Sequence, residues 1–149
     1  MILLQSKLLF SYLDISAYND YPFLRETEKF LKKLFEEMIF ENKYPQLKIY
    51  GSCFGMQIFF SALGVKIEKN SFLQNTPVLL NLTDKFWDAK FVKNSGIEKK
   101  SMVIYEWHGD VVTSFCDEKY GMNLVGSSEK CQHEIYIDSK EKILMIEGH

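Results

Sequence analysis

Residues 48–57, KIYGSCFGMQ, set a single cysteine between two glycines, with an apolar run on each side. Gly51 and Gly55 flank Cys53 at two-residue spacing, which allows a sharp strand-to-helix turn and a close approach of helix to strand. A side chain at the tip of such a turn projects into the crevice at the carboxyl end of the strand. The backbone N–H of the next residue, Phe54, points to the same place, at the positive end of the following helix. The thiolate is the reactive form of cysteine, and that setting favours it. The spacing alone leaves a plain buried cysteine in a strand–turn–helix connection equally open. The final residues, Glu147-Gly-His149, raise the question whether that histidine is the cysteine's partner.

The elements that must hold this turn are legible as patterns. Residues 7–10 form a short apolar run suited to a buried strand, and 16–22, SAYNDYP, have loop chemistry. From Phe23 to Ile39 apolar residues recur at helical period, with Pro22 in the first turn and Asn42-Lys-Tyr-Pro45 ending the element. Residues 47–50 read as a buried strand and 55–63 as a short apolar helix stopped by Gly64. Beyond Asn70 the patterns predict strands at 78–82, 102–106, 110–113, 124–127, 134–138 and 143–147, with a helical turn or loop at 83–92. Strand, tight turn and helix in this order indicate an α/β sheet that places its ligand at the carboxyl ends of the strands.

A chain of 149 residues, 46% hydrophobic and 26% charged, suits one globular domain. A net charge of -2 with interspersed signs argues against nucleic-acid binding. Three cysteines without CxxC spacing point to a reducing compartment, the cytoplasm, and away from a disulfide framework or zinc ribbon. Three scattered histidines give no metal signature, and nothing calls for a cofactor. The opening MILLQSKLLFSYL lacks a positively charged start and reads as a core strand; no run approaches the ~20 residues of a membrane span.

The longer string Gly51, Cys53, Gly55, Gln57 resembles the nucleophile motif of class I (triad) glutamine amidotransferase domains. SALGVKIEKN, EWHGDVVTS, LVGSSEKCQHEIYI and ILMIEGH are similar to later segments of that family, in the family's order. SAYNDYPFLRETEKFLKKL resembles the front of the branch containing the GMP-synthetase amidotransferase domain. The resemblance implies a flavodoxin-like fold: an open, mostly parallel sheet with flanking helices and an antiparallel strand pair. It also implies hydrolysis of a γ-glutamyl amide, with Cys53 attacking the amide carbon and His149 moving the proton. Phe54 N–H would serve the oxyanion, and Gln57 would shape the glutamine pocket beside Gly51 and Gly55. His108, Gly109 and Asp110 would wall the pocket. The implied substrate is glutamine or a γ-glutamyl compound, and the implied partner is a synthetase that takes the ammonia.

The sequence departs from the family pattern in three places. The family's glutamate two residues beyond the histidine has no counterpart, and Glu147 aligns with a pocket or strand residue instead. Tyr12 and Leu13 stand where a Gly-Ser pair supplies the second oxyanion N–H, so Tyr12 is the residue at that donor position. The family's first strand and helix have no match, so residues 1–149 read as one domain incomplete at both ends. These departures keep open a non-catalytic relative that binds a ligand or partner, and a γ-glutamyl peptidase shares the same pocket. A cysteine α/β-hydrolase is disfavoured by Gln57 and the WHGD segment. His133 is expected at an exposed loop or strand edge, Cys116 and Cys131 as ordinary thiols, and Trp87 and Trp107 as core or pocket wall.

Overall fold

The computed structural model describes residues 7–10 by their backbone and residues 15–116 and 118–149 in full. Tyr12 and Leu13 lie outside the described residues. Strand β1 (Lys7–Phe10) is followed by helix α1 (Pro22–Ile39), strand β2 (Lys48–Ser52) and helix α2 (Phe54–Ala62). Then come β3 (Ile67–Leu82), the short helices α3 (Asp84–Asp88) and α4 (Lys90–Ser95), and β4 (Met102–Val112). Strands β5 (Met122–Ser127), β6 (Ile135–Asp138) and β7 (Ile143–Ile146) complete a sheet in the order β1-β2-β7-β6-β5-β3-β4.

The sheet is mixed, which corrects the mostly parallel, flavodoxin-like expectation. β2 pairs in parallel with β1 and with β7, whereas β7–β6, β6–β5, β5–β3 and β3–β4 are all antiparallel. Connection length decides this. α1 provides the long crossover that a parallel neighbour needs, whereas β5, β6 and β7 follow one another through short loops that permit only antiparallel pairing.

Two further strand expectations change. The strands expected at 102–106 and 110–113 merge into one, β4, which runs straight through Gly109 and ends at Val112. The irregularity falls on its partner: β3 slips between Lys69 and Gln74, and cross-strand pairing then resumes. β3 itself extends far upstream of the expected 78–82, because its polar first half is recruited by β4 rather than by its own propensity.

The core lies on both faces of the sheet. α1 turns Leu24, Leu31, Leu34, Phe35 and Met38 inward. α2 is buried along nearly its whole length, between α1 and the sheet, which is why its sequence is apolar on every side. Phe35 meets Phe59 and Tyr120 edge to face, and Phe60 packs on Tyr136 with ring centroids 4.7 Å apart. On the other face Val78, Leu80, Phe86, Val92 and Ile137 form a second cluster under α3 and α4. No helix of the described residues is long and apolar enough to cross a membrane.

Candidate active site

Cys53 occupies the junction between β2 and α2 with φ 52 and ψ -115, a conformation that L-residues rarely adopt. Three backbone bonds hold it there: its N–H donates to Ile146 O at 2.9 Å, and its C=O accepts from Met56 and Gln57 N–H. Gly51 explains how the helix comes so close. A Cβ there would lie 2.6 Å from Met145 Sδ and 2.9 Å from the Gly55 carbonyl carbon. The turn therefore needs Gly51 for packing, while Cys53 itself takes the strained backbone.

Cys53 faces a pocket of about 300 Å³, walled by Phe54, Gln57, Tyr18, Trp107, His108 and Asp110 among others. The thiol is only 6% exposed, and its Sγ lies 3.8 Å from the Trp107 carbonyl. Burial first, and then the Glu147 carboxylate, push its pKa up to about 12. The Phe54 N–H pulls the other way, and Glu106 and Asp110 add to the rise. A helix N-terminus alone does not make this thiol acidic. The Phe54 N–H points at the Cys53 thiol, and among the described residues it has no backbone acceptor.

Gln57 lines the pocket and also braces its wall. Its Nε2 donates to the Asp110 carbonyl at 3.0 Å and to Glu147 Oε1 at 2.6 Å. His108 joins the same two groups: Nδ1 lies 2.9 Å from the Asp110 carbonyl and 3.7 Å from Glu147 Oε1. Its Nε2 sits against Glu106 Oε2, close enough for an ion pair but off the line of a hydrogen bond. Burial lowers the His108 pKa, but the Glu106 contact, the Glu147 and Glu106 charges and the Asp110 carbonyl outweigh it and raise it to about 9. Glu106, Glu134 and Glu147 are all completely buried. Burial pushes Glu147 up to about 7 and raises Glu134 as well, because one imidazolium cannot balance three carboxylates in a low dielectric.

His149 reaches the same neighbourhood by its backbone. Its N–H and C=O pair with Tyr105 O and N at 2.8 and 3.3 Å, and Ser52 Oγ donates to Gly148 O at 2.9 Å. Its side chain is exposed, and among the described residues no hydrogen bond or ion pair joins it to Cys53. Gly109 has room to spare, since an added Cβ would meet only Leu73 at 3.9 Å. Asp110 accepts a bond from Tyr18 Oη at 3.1 Å and lies opposite Lys69, so both charge signs stand at the pocket mouth.

His133 departs from its expected exposure: it is buried, with Nδ1 2.7 Å from the Tyr136 hydroxyl, and burial lowers its pKa. Cys116 and Cys131 are both buried. Trp107 lines the pocket while half exposed, and Trp87 packs against the second core cluster. Among the described residues no His, Cys, Asp and Glu cluster has the geometry to hold a metal ion. A pocket of about 390 Å³ lies at the far end of the sheet, between Tyr50, Phe91 and Leu144, with no cysteine among its lining residues.

The buried acids were missed at the level of sequence, although β4 carries a usable signal. Met102, Ile104, Glu106 and His108 share one face at strand parity, so a carboxylate and an imidazole must enter the core side by side.

No family model matches the chain. A glutamine amidotransferase-like protein of Schizosaccharomyces pombe is 30% identical over 138 residues, 90% of this chain and 48% of the relative. The chain thus spans about half the length of that relative. A glutamine amidotransferase from Thermotoga maritima matches with TM-score 0.73 and 18% identity, over 97% of this chain and 55% of its own. A GMP synthase subunit from Thermoplasma acidophilum matches with TM-score 0.59 and 18% identity, over 85% of this chain and 57% of its own. At these identities the two structures speak to the fold.

Proposed function

The chain belongs to the glutamine amidotransferase-like proteins, and from that premise we propose that Cys53 is the nucleophile of a hydrolase acting on glutamine or a related γ-glutamyl compound. In this reading Sγ attacks the γ-amide carbon and the C–N bond breaks. The nitrogen leaves as ammonia after taking a proton, and water then hydrolyses the γ-glutamyl thioester. Phe54 N–H donates to the oxyanion, His149 carries the proton, and the opposite charges of Asp110 and Lys69 suit the zwitterionic end of an amino acid. A synthetase is the proposed taker of the ammonia. A γ-glutamyl peptidase differs only in releasing a larger amine.

The observation that carries the reading is the strained φ of Cys53 at the strand–helix junction, with its side chain lining a polar pocket. A second reading, a non-catalytic relative that binds such a ligand, is favoured by the thiol's pKa of about 12 and the absence of a bond between Cys53 and His149 among the described residues. Ammonia release from glutamine, measured for the wild type against Cys53→Ala with calorimetric binding alongside, separates the two. Turnover lost in Cys53→Ala supports the hydrolase. Binding without turnover in both proteins supports the binder, and neither binding nor turnover overturns both.

A further inference from the structure

Tyr18 stands half exposed at the pocket mouth, and no step of the attack proposed above uses it. The turn that carries it is fastened from beneath. Arg25 Nη2 donates to the carbonyls of Ala17 and Asn19, both at 2.9 Å, so one planar guanidinium grips the chain on each side of Tyr18. Arg25 Nη1 pairs with Glu28 Oε2 at 2.6 Å, and the other oxygen of Glu28 accepts from Ser61 Oγ on α2. Ala17 is fully buried, in one cluster with Leu24, Phe54 and Ile58. Tyr18 is therefore tied to the same helix that carries Cys53 at its N-terminus. Across the mouth, Tyr18 Oη donates to Asp110 Oδ1 at 3.1 Å. The Asp110 backbone is fixed separately: its carbonyl accepts from Gln57 Nε2 at 3.0 Å and lies 2.9 Å from His108 Nδ1. Lys69 is the cross-strand partner of Asp110, yet among the described residues no ion pair joins the two. Neither charge is spent on the other.

We propose that Tyr18 is a specificity-determining residue: by holding the Asp110 carboxylate at the mouth, it selects glutamyl compounds whose α-amino group is free over those whose α-nitrogen is acylated. The proposal rests on the Cys53 pocket being a γ-glutamyl site. One Asp110 oxygen receives the phenol, and the other stays open to an ammonium N–H. An acylated nitrogen has no charge and at most one N–H, so it leaves that carboxylate uncompensated in the bound state. The substrate class that follows is free glutamine and small γ-glutamyl compounds with an unblocked amino end. Glutamine side chains within a polypeptide, whose α-nitrogens are acylated, fall outside it.

The test is calorimetric titration of the full chain carrying Cys53→Ala, with L-glutamine and with N-acetyl-L-glutamine, which gives the ratio of the two affinities without turnover. Glutamine should bind about tenfold more tightly, as expected of one charge-assisted hydrogen bond. Adding Asp110→Asn should bring the ratio close to one. Adding Tyr18→Phe instead, which keeps the ring and deletes the hydroxyl, should lower the ratio roughly threefold by weakening glutamine alone. A merely structural Tyr18 predicts that both ligands weaken together while the ratio stays. That result, equal binding of the two ligands before either substitution, or a ratio that survives Asp110→Asn would overturn the proposal and leave the γ-glutamyl reading in place. Binding of neither ligand would overturn that reading and the proposal with it.

Discussion

Replacing Gly51 by alanine puts a methyl group where α2 rests on β2. Its Cβ would stand 2.6 Å from Met145 Sδ, and that side chain is flexible enough to turn aside. The Gly55 carbonyl carbon and oxygen, at 2.9 and 3.0 Å, belong to the first turn of α2 and can move only if the helix does. Carbon contacts are comfortable at ~3.5–4.0 Å, so the helix must retreat by roughly 0.5–1 Å. Overpacking of this kind costs about 1–3 kcal/mol, and in a domain of this size each kcal/mol lowers Tm by roughly 2–4 °C. The control is Gly109→Ala, whose Cβ meets only Leu73 at 3.9 Å, and which should stay within about 0.5 kcal/mol of the wild type. Thermal unfolding by circular dichroism reads both, and Cys53 labelling reports whether the displaced helix takes the thiol with it. Equal Tm values for the two variants would refute the close helix–strand contact as the reason for this glycine.

Stability should fall as pH rises. His108, Glu134 and Glu147 all have folded pKa values raised above their ordinary ones, so the folded state binds protons more tightly and loses that advantage as the pH climbs through the raised values. Tm should therefore decline from about pH 7 to about 9, above the range in which the lowered pKa of His133 works the other way, and His108→Gln should flatten the upper part of that decline; a Tm that rises over this range contradicts the cluster. Tyr136→Phe removes the hydroxyl that meets His133 Nδ1 at 2.7 Å and should cost about 1–3 kcal/mol in urea unfolding, because the imidazole stays buried without its partner. A neutral result would mean that His133 finds another partner at once.

Much of the architecture around Cys53 is local, and local features are what a sequence shows. The strand–turn–helix at 48–62, the amphipathic α1 and the short β7 follow from glycine placement and periodicity alone. The sheet's pairing is not local. Whether β5, β6 and β7 run parallel or antiparallel depends on loop lengths and on partners far away in the chain, and the polar first half of β3 is a strand only because β4 lies beside it. The same limit hid the buried polar group. Glu147 and Gln57 are 90 positions apart, and their bond exists only because β7 lies next to β2. The environment of Cys53 was legible in its geometry but not in its acidity: the turn and helix are written in the sequence, whereas Glu147 and Glu106 arrive from distant strands and push the thiol up.

The central claim is that Cys53, held at the elbow, is the thiol that meets a γ-glutamyl substrate. The direct measurement is labelling of the folded chain with a chloroketone analogue of glutamine, with the adduct mapped by peptide mass spectrometry and glutamine added as competitor. The account predicts a single adduct, on Cys53, that free glutamine suppresses, with Cys116 and Cys131 unmodified in the core. An adduct on Cys116 or Cys131, or labelling of Cys53 that glutamine leaves unchanged, would contradict it.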